Sequence, residues 1–464
     1  MQQLSGQDAS FIYAERPHAP THVTSVGIYD QRTAAGRKVT FKGILAHLEA
    51  RLHLARAFRQ KAVRVPGDLD HPWWVEDAAF DLEYHVRHIA LPKPGDWRQF
   101  CIQVARLHAR PLDLSRPQWE MYVIEGLDAV EGVPKGAFAM LLKVHHAAID
   151  GMSGVEMLTA IHTQSPEEGD PPPPATAWVP EQDPSAYELL ARAGFNAATV
   201  PARGMRAVGK LVPGLGRAVA LQRRQPTVSS APVTRFNGPV SAHRVVDGCY
   251  FELDDVKRMR KAVEGATVND VALAVLGGAL RSYLSDAGEL PDAPLRAMTP
   301  VSVRTPEEKA ALGNQVSAMI VSLGTDVDDP VQRLAAVTAS TVASKEMTQA
   351  IGARNLTEIS QFAPGALIGV GTRLAGRFAR RVGVINTVVT NVPGPRDPLY
   401  FAGAESIRSF AAGPVVDGMG LINIVSSYVD QFMLMFTADR AMMPDPAHYA
   451  ECISDSFESL LAAS

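Results

Sequence analysis

The chain has 464 residues, 46% of them hydrophobic and 20% charged, with a formal net charge of −4. A single hydrophobic core stops growing near roughly 250–300 residues, so two domains of about 200 residues each are expected. The balanced charge excludes the strongly basic profile of a nucleic-acid binder, and Cys101, Cys249 and Cys452 are too scattered to match a metal or redox spacing and fit a reducing cytoplasm.

The opening, Met-Gln-Gln-Leu-Ser-Gly-Gln-Asp, has neither the basic nor the apolar region of a secretory signal, so the chain is expected to start at Met1 without a leader. Val23–Tyr29 reads as a strand. Thr40 is an N-cap candidate ahead of Phe41, Ile44, Leu45, Leu48 and Leu52, whose spacing predicts a helix over 41–58. Ala137–Val144 reads as a second strand, and Ser153-Gly-Val-Glu156 as a capping box opening a helix over 153–163. At Ser165 the composition shifts to Pro-Glu-Glu-Gly-Asp-Pro-Pro-Pro-Pro, which continues neither helix nor strand and marks a linker. From Leu189 to Val246 no acidic residue occurs, while arginines, Lys210 and apolar residues interleave.

Helices are expected over 269–285 and 330–349, and strands over Gln315–Leu323, Gly383–Thr390, Leu421–Tyr428 and Phe432–Thr437. This interleaving predicts a mixed α/β fold, with an N-terminal domain at 1–164, a Pro-rich then basic crossover linker at 165–235 and a C-terminal domain at 236–464. The best apolar run, Val271–Leu280, is ten residues, short of the roughly 18–20 that span a bilayer. The expected location is therefore cytoplasmic, with any contact to the inner face of the plasma membrane or to lipid droplets being peripheral.

The strand Ala137–Val144 runs directly into His145-His146-Ala-Ala-Ile-Asp150-Gly151. Alternation along a strand sends His145 and His146 to opposite faces, one towards a cleft and one into structure. Asp150 lies within reach of a tight turn that folds its carboxylate back, and Gly151 can take a positive φ there. Imidazole has an unperturbed pKa of about 6.5, so a neutral histidine can take the proton of an attacking hydroxyl, which suits esterification. The adjacent pair lacks the His-Glu-x-x-His spacing of zinc proteases. Gly-Met-Ser153-Gly-Val155 lacks the last glycine of a nucleophile elbow, so neither a metal nor a serine acyl-enzyme is expected.

His145-His146 with Asp150-Gly151 resembles the HHxxxDG motif of the coenzyme A-dependent acyltransferase superfamily, which includes chloramphenicol acetyltransferase and the condensation domains of peptide synthetases. Within it the chain resembles the bacterial wax ester synthase/acyl-CoA:diacylglycerol acyltransferases. Leu4-Ser-Gly-Gln-Asp8-Ala-Ser-Phe11 is similar to that family's opening, and Phe80-Asp-Leu-Glu-Tyr-His-Val-Arg87 to a segment before its first catalytic strand. Pro111-Leu-Asp-Leu-Ser-Arg116-Pro-Gln118-Trp119 is similar to its PLxxxRPxW pattern, with Gln118 where Leu is usual. Asn269-Asp270 resembles its ND motif, Pro300-Val-Ser-Val-Arg304 with Gly313-Asn314 its PVSxR and GN elements, and Asn391-Val-Pro393-Gly-Pro395 its late turn.

The resemblance implies two chloramphenicol acetyltransferase-like lobes, with mixed sheets flanked by helices and a tunnel between them. His146 would be the general base, with His145 and Gly151 in the same motif and Asp150 as an orienting residue paired to an arginine such as Arg304. Asn269, Asp270, Arg304 and Asn314 would line the substrate path, and Pro111, Arg116, Trp119, Asn391 and Pro393 would support it. The implied partners are long-chain acyl-CoA and diacylglycerol or a fatty alcohol, yielding triacylglycerol or wax ester, with no cofactor beyond the substrate acyl-CoA and no nucleic acid.

Plainer roles stay open for several residues: a satisfied core position for His145, a loop lock for Arg116 and Trp119, a helix start behind Thr267 for Asn269, and a turn for Asn391–Pro395. Two other functions also stay open. One is acyl transfer to another hydrophobic alcohol. The other is non-catalytic binding of acyl-CoA or a lipid droplet, against which the intact His146, Asp150 and Gly151 count. The basic stretch reads either as an interfacial anchor or as a packed crossover.

Overall fold

The computed structural model describes residues 1–149, 153–176, 178–198, 231–302, 316–351 and 384–464. Asp150, Gly151, Arg304, Gly313, Asn314 and most of the basic stretch therefore lie outside the described residues, as do the side chains that would form the Ser153–Glu156 capping box.

The elements run β1 (Gln2–Gln3), α1 (Gly6–Ala14), β2 (His22–Asp30), α2 (Phe41–Glu49), β3 (Gln60–Val63), β4 (Trp73–Glu76), α3 (Leu82–His85), β5 (Val86–Ala90), α4 (Trp97–His108), β6 (Trp119–Glu125), β7 (Phe138–His145) and α5 (Ser153–Ile161). After a helix at 186–198 (α6) come β8 (Arg244–Glu252), α7 (Leu253–Met259), α8 (Val268–Asp286), β9 (Arg296–Ser302), β10 (Val316–Ser322), α9 (Pro330–Ile351), β11 (Thr387–Pro393), β12 (Tyr400–Phe401), β13 (Ala404–Ala412), β14 (Leu421–Tyr428), β15 (Gln431–Asp439) and α10 (Pro446–Ala463).

Two six-stranded mixed sheets, ordered β12-β13-β2-β7-β6-β5 and β10-β9-β11-β14-β15-β8, carry the fold, and β1, β4 and β3 form a small third sheet. The mixed α/β expectation holds. Residues 400–412, although inside the 236–464 segment, pair with β2 in the first sheet. An edge of the first sheet is therefore completed by chain from the second half.

The interlock has a shared core. Helix α4 buries Phe100, Val104 and Ala105 against Val26, Ile28 and Leu141 of the first sheet, Val246, Met433 and Met435 of the second, and Phe410 of β13. At its start Trp97 Nε1 donates to Asp247 Oδ1 at 2.8 Å. At its end Lys143, fully buried, donates to the carbonyl of Arg110 at 2.9 Å and pairs with Glu120 at 3.0 Å, so a cation sits where the helix dipole favours one.

The predicted helix over 41–58 ends at Glu49 and gives way to two single 3₁₀ turns, Leu52–Leu54 and Arg56–Phe58. The bend lets Leu52, Ala55 and Phe58 all reach the same core as Ile44 and Leu48. The predicted turn at 391–395 is also corrected: Asn391–Pro393 are the last residues of β11, paired in register with Val425–Ser427. Only then does the chain leave the sheet, and a Cβ at Gly394 would stand 2.1 Å from the Ser427 carbonyl oxygen, so the following position tolerates only glycine without a shift.

Helix α8 is apolar all round because it is surrounded, with Val271–Ala279 almost wholly buried between the second sheet and α10. Its start is a capping box in which Asp270 N–H donates to Thr267 Oγ1 and Asp270 Oδ2 accepts from the Thr267 N–H at 2.8 Å. Oδ1 of Asp270 accepts from Thr341 of α9 at 2.7 Å, so both carboxylate oxygens are used and the residue is 2% exposed. Asp270 thus fastens two helices. Asp270→Ala is expected to lower unfolding stability by about 2–4 kcal/mol, from a lost cap and a stranded buried hydroxyl. Urea unfolding measures it, and an unchanged midpoint would return Asp270 to the substrate path.

Candidate active site

Strand β7 is central in its sheet and its final residues are held from both sides. The His145 N–H donates to the Gln118 carbonyl and the His146 N–H to the Thr21 carbonyl, each at 2.9 Å. The strand stops there, and His146–Ala148 make one 3₁₀ turn. Strand alternation therefore does not continue past His145, and the two rings take different partners.

His145 is fully buried and its ring atoms are employed. The Ala147 N–H donates to Nδ1 at 3.1 Å, which leaves the hydrogen on Nε2. That Nε2–H faces Thr21 Oγ1 at 3.1 Å and Glu15 Oε2 at 3.2 Å, and the Thr21 hydroxyl itself donates to the Phe11 carbonyl. His145 thereby ties the turn to the end of α1 and acts as a structural residue.

His146 has a different environment. Its ring stacks on Phe11, centroids 3.8 Å apart and 14° from parallel. Its Nδ1 is buried beside the backbone carbonyl of the same residue and has no other partner among the described residues. Burial pulls the imidazole pKa down to about 4, its own carbonyl offsets part of this, and His145 lowers it further. The ring is therefore neutral at pH 7, the form that accepts a proton. Phe11 comes from the opening segment Leu4–Phe11, which folds as α1 behind a Ser5 N-cap and packs Leu4, Ala9 and Ile12 around Ala147. Nothing in its local sequence marks Phe11 as a partner of a histidine over a hundred residues away.

The PLxxxRPxW segment supports the turn from the other side. Trp119 is 1% exposed, donates from Nε1 to the Phe58 carbonyl at 3.0 Å and stacks on His85. Arg116 lies 4.0 Å over the Tyr84 ring and reaches Asp113 at 3.7 Å, so it locks the loop that follows the exposed Pro111. Gln118, the departure from the family pattern, is 1% exposed, and among the described residues neither amide atom has a hydrogen-bond partner.

Asn269 and Asn391, singled out from separate motifs, meet in space: Asn391 Nδ2 donates to Asn269 Oδ1 at 3.4 Å, with both residues half-buried at the start of α8 and the end of β11. Pro393 is exposed just beyond. Asp150, Gly151, Arg304 and Asn314, assigned to the same site from sequence, lie outside the described residues.

Residues 4–272 match the wax ester synthase/diacylglycerol acyltransferase catalytic domain, and residues 312–461 match the C-terminal domain of the same family. Two Mycobacterium tuberculosis proteins bearing the name diacylglycerol O-acyltransferase are similar throughout. One is 32% identical over 468 residues, covering 100% of this chain and 91% of the relative; the other is 34% identical over 462 residues, covering 98% and 99%. Among solved structures, the wax ester synthase/diacylglycerol acyltransferase of Marinobacter aquaeolei VT8 superposes with a TM-score of 0.71 at 25% identity, covering 100% of this chain and 99% of that one. The starter condensation domain of rhizomide synthetase shares the fold, with a TM-score of 0.55 at 14% identity and coverage of 100% and 94%. The chain belongs to the wax ester synthase/diacylglycerol acyltransferase family.

Proposed function

We propose that this chain is a long-chain acyl-CoA-dependent O-acyltransferase that makes triacylglycerol from diacylglycerol, wax ester from a fatty alcohol, or both, with His146 as general base. The observation that carries this reading is the His146 ring, desolvated, stacked on Phe11 and held neutral at the end of a central strand. In the proposed reaction the ring takes the acceptor's hydroxyl proton as the oxygen attacks the thioester carbonyl. The C–S bond then breaks, coenzyme A leaves with the proton, and the ester remains. Acyl-CoA is consumed as a substrate, and no cofactor is called for. Asp150 and Arg304 would orient the base, and Asn269 with Asn391 would offer polar groups along the substrate path.

Direct attack is favoured over an acyl-enzyme, because burial raises all three thiols: Cys101 well above its ordinary value, Cys249 to about 12 and Cys452 to about 11. A thiol is a weak nucleophile and a thiolate is needed.

Peripheral contact with a membrane or lipid droplet belongs to the same reading. Among the described residues no helix is long and apolar enough to cross a bilayer. Helix α6 docks through Leu189 and Ala193 on Val65, yet leaves Tyr187 85% and Phe195 72% exposed on its other side. It leads into the basic stretch, whose cations suit anionic lipid.

Purified protein incubated with palmitoyl-CoA and either hexadecanol or a diacylglycerol should release thiol and form ester; ester from neither, with turnover on another alcohol, would reassign the acceptor. His146→Ala should lower turnover by roughly 10²–10⁴-fold with the fold retained, and His145→Ala should act mainly on stability. The acid limb of kcat/KM should lie near the folded His146 pKa of about 4, so activity is flat from pH 7 to 5 and falls as the ring protonates below that; a limb at about 6.5, the ordinary value, would mean a solvated imidazole. Binding to anionic vesicles should weaken near 1 M salt, where the Debye length is about 3 Å, and on Tyr187→Ser with Phe195→Ser; indifference to both would leave α6 and the basic stretch as a packed linker.

A further inference from the structure

Far from the His146 turn, the last turn of α8 meets the first turn of α10, and three side chains of metal-binding type converge there: Asp286, His448 and Cys452. Their ligand atoms all lie within 4.8 Å of one another. His448 Nε2 is 3.0 Å from Asp286 Oδ2 and 3.9 Å from Cys452 Sγ. A tetrahedral zinc ion with bonds of about 2.0–2.3 Å to nitrogen, oxygen and sulfur separates its ligand atoms by roughly 3.3–3.6 Å. The observed spacings bracket that range, so small rotamer adjustments would close the site.

We propose that Asp286, His448 and Cys452 bind one zinc-class divalent cation, which would clamp the C-terminal helix to α8. His448 and Cys452 stand four apart on one helix and so share a face, and the third ligand comes from a second helix, giving a chelate that spans two elements. A second observation supports the assignment. With Nε2 turned to the ligand cluster, His448 Nδ1 lies 3.7 Å from Glu451 Oε2, beyond hydrogen-bond length but within a small rotamer change of becoming the outer carboxylate of a metal-bound imidazole. The charge balance also suits a cation. Asp286, Glu451 and Asp455 place carboxylates around the imidazole and the thiol, so the cluster has the negative charge that holds a cation. Asp286 and His448 are partly exposed, which leaves room for a water as fourth ligand. A thiolate with imidazole and carboxylate selects zinc over magnesium or calcium.

The test is cobalt titration of the full-length protein, stripped with chelator and kept reduced. One equivalent should give a thiolate-to-cobalt charge-transfer band together with the visible bands of a tetrahedral site, and zinc should erase both. Cys452→Ser should abolish the charge-transfer band while circular dichroism shows an unchanged fold. His448→Ala and Asp286→Asn should each weaken binding at least tenfold. Glu451→Gln, which acts through His448, should weaken it by about 10–100-fold without removing the band. Zinc should raise Tm in the wild type and not in Cys452→Ser. A folded wild type with no charge-transfer band, or a band that survives Cys452→Ser, overturns the proposal.

Discussion

Two backbone hydrogen bonds at the end of the central strand β7 fix the turn that carries His146, the proposed base. The Gln118 carbonyl holds His145 and the Thr21 carbonyl holds His146, so the strand cannot fray at the residue that must be placed accurately. Everything around the turn follows from that pinning. His145 spends its ring atoms on Ala147, Thr21 and Glu15, while His146 is turned against Phe11. Adjacent residues of the same type thus take different tasks because one still belongs to the sheet and the next does not.

The environment of His146 matches what a base in an esterification needs. A half-buried imidazole whose Nδ1 is shut off from solvent, with little hydrogen-bond support for its charged form among the described residues, stays neutral. The same dryness protects a thioester from hydrolysis while the acceptor oxygen attacks. There is a cost in basicity, since a ring with a pKa of about 4 is a weak base on its own. The approach of an attacking hydroxyl would have to favour the protonated ring during the reaction.

Rigidity at this turn is built from distant parts of the chain. Helix α1 brings Phe11 and packs on Ala147, Trp119 and His85 stack on the opposite side, and β13 crosses from the second half to complete the first sheet. Helix α4 is packed between both sheets in one core, so neither lobe can shift without disturbing the other. In the second lobe, the Thr267–Asp270 capping box and its bond to Thr341 fix the start of α8, which in turn presents Asn269 to Asn391.

The sequence by itself determined the class of fold, most of the strands and helices that carry it, and the reaction, because these depend on local pattern. The short apolar run over 137–144, the Thr267 cap and the HHxxxDG spacing are all encoded within a few residues. It also exposed the family, through motifs whose order along the chain is specific. What it left undecided depends on contacts between remote segments. Helix 41–58 breaks because Leu52, Ala55 and Phe58 must share a core with Ile44; Asn391–Pro393 are strand because β14 lies beside them; Asp270, locally a capping residue, also ties α8 to α9 because the fold brings Thr341 to it. The partnership of Phe11 with His146, and the convergence of Asp286 on His448 and Cys452, have no signature at any sequence spacing. Only the tertiary structure decides them, since what sets the state of a ring or a thiol is the set of neighbours the fold brings to it.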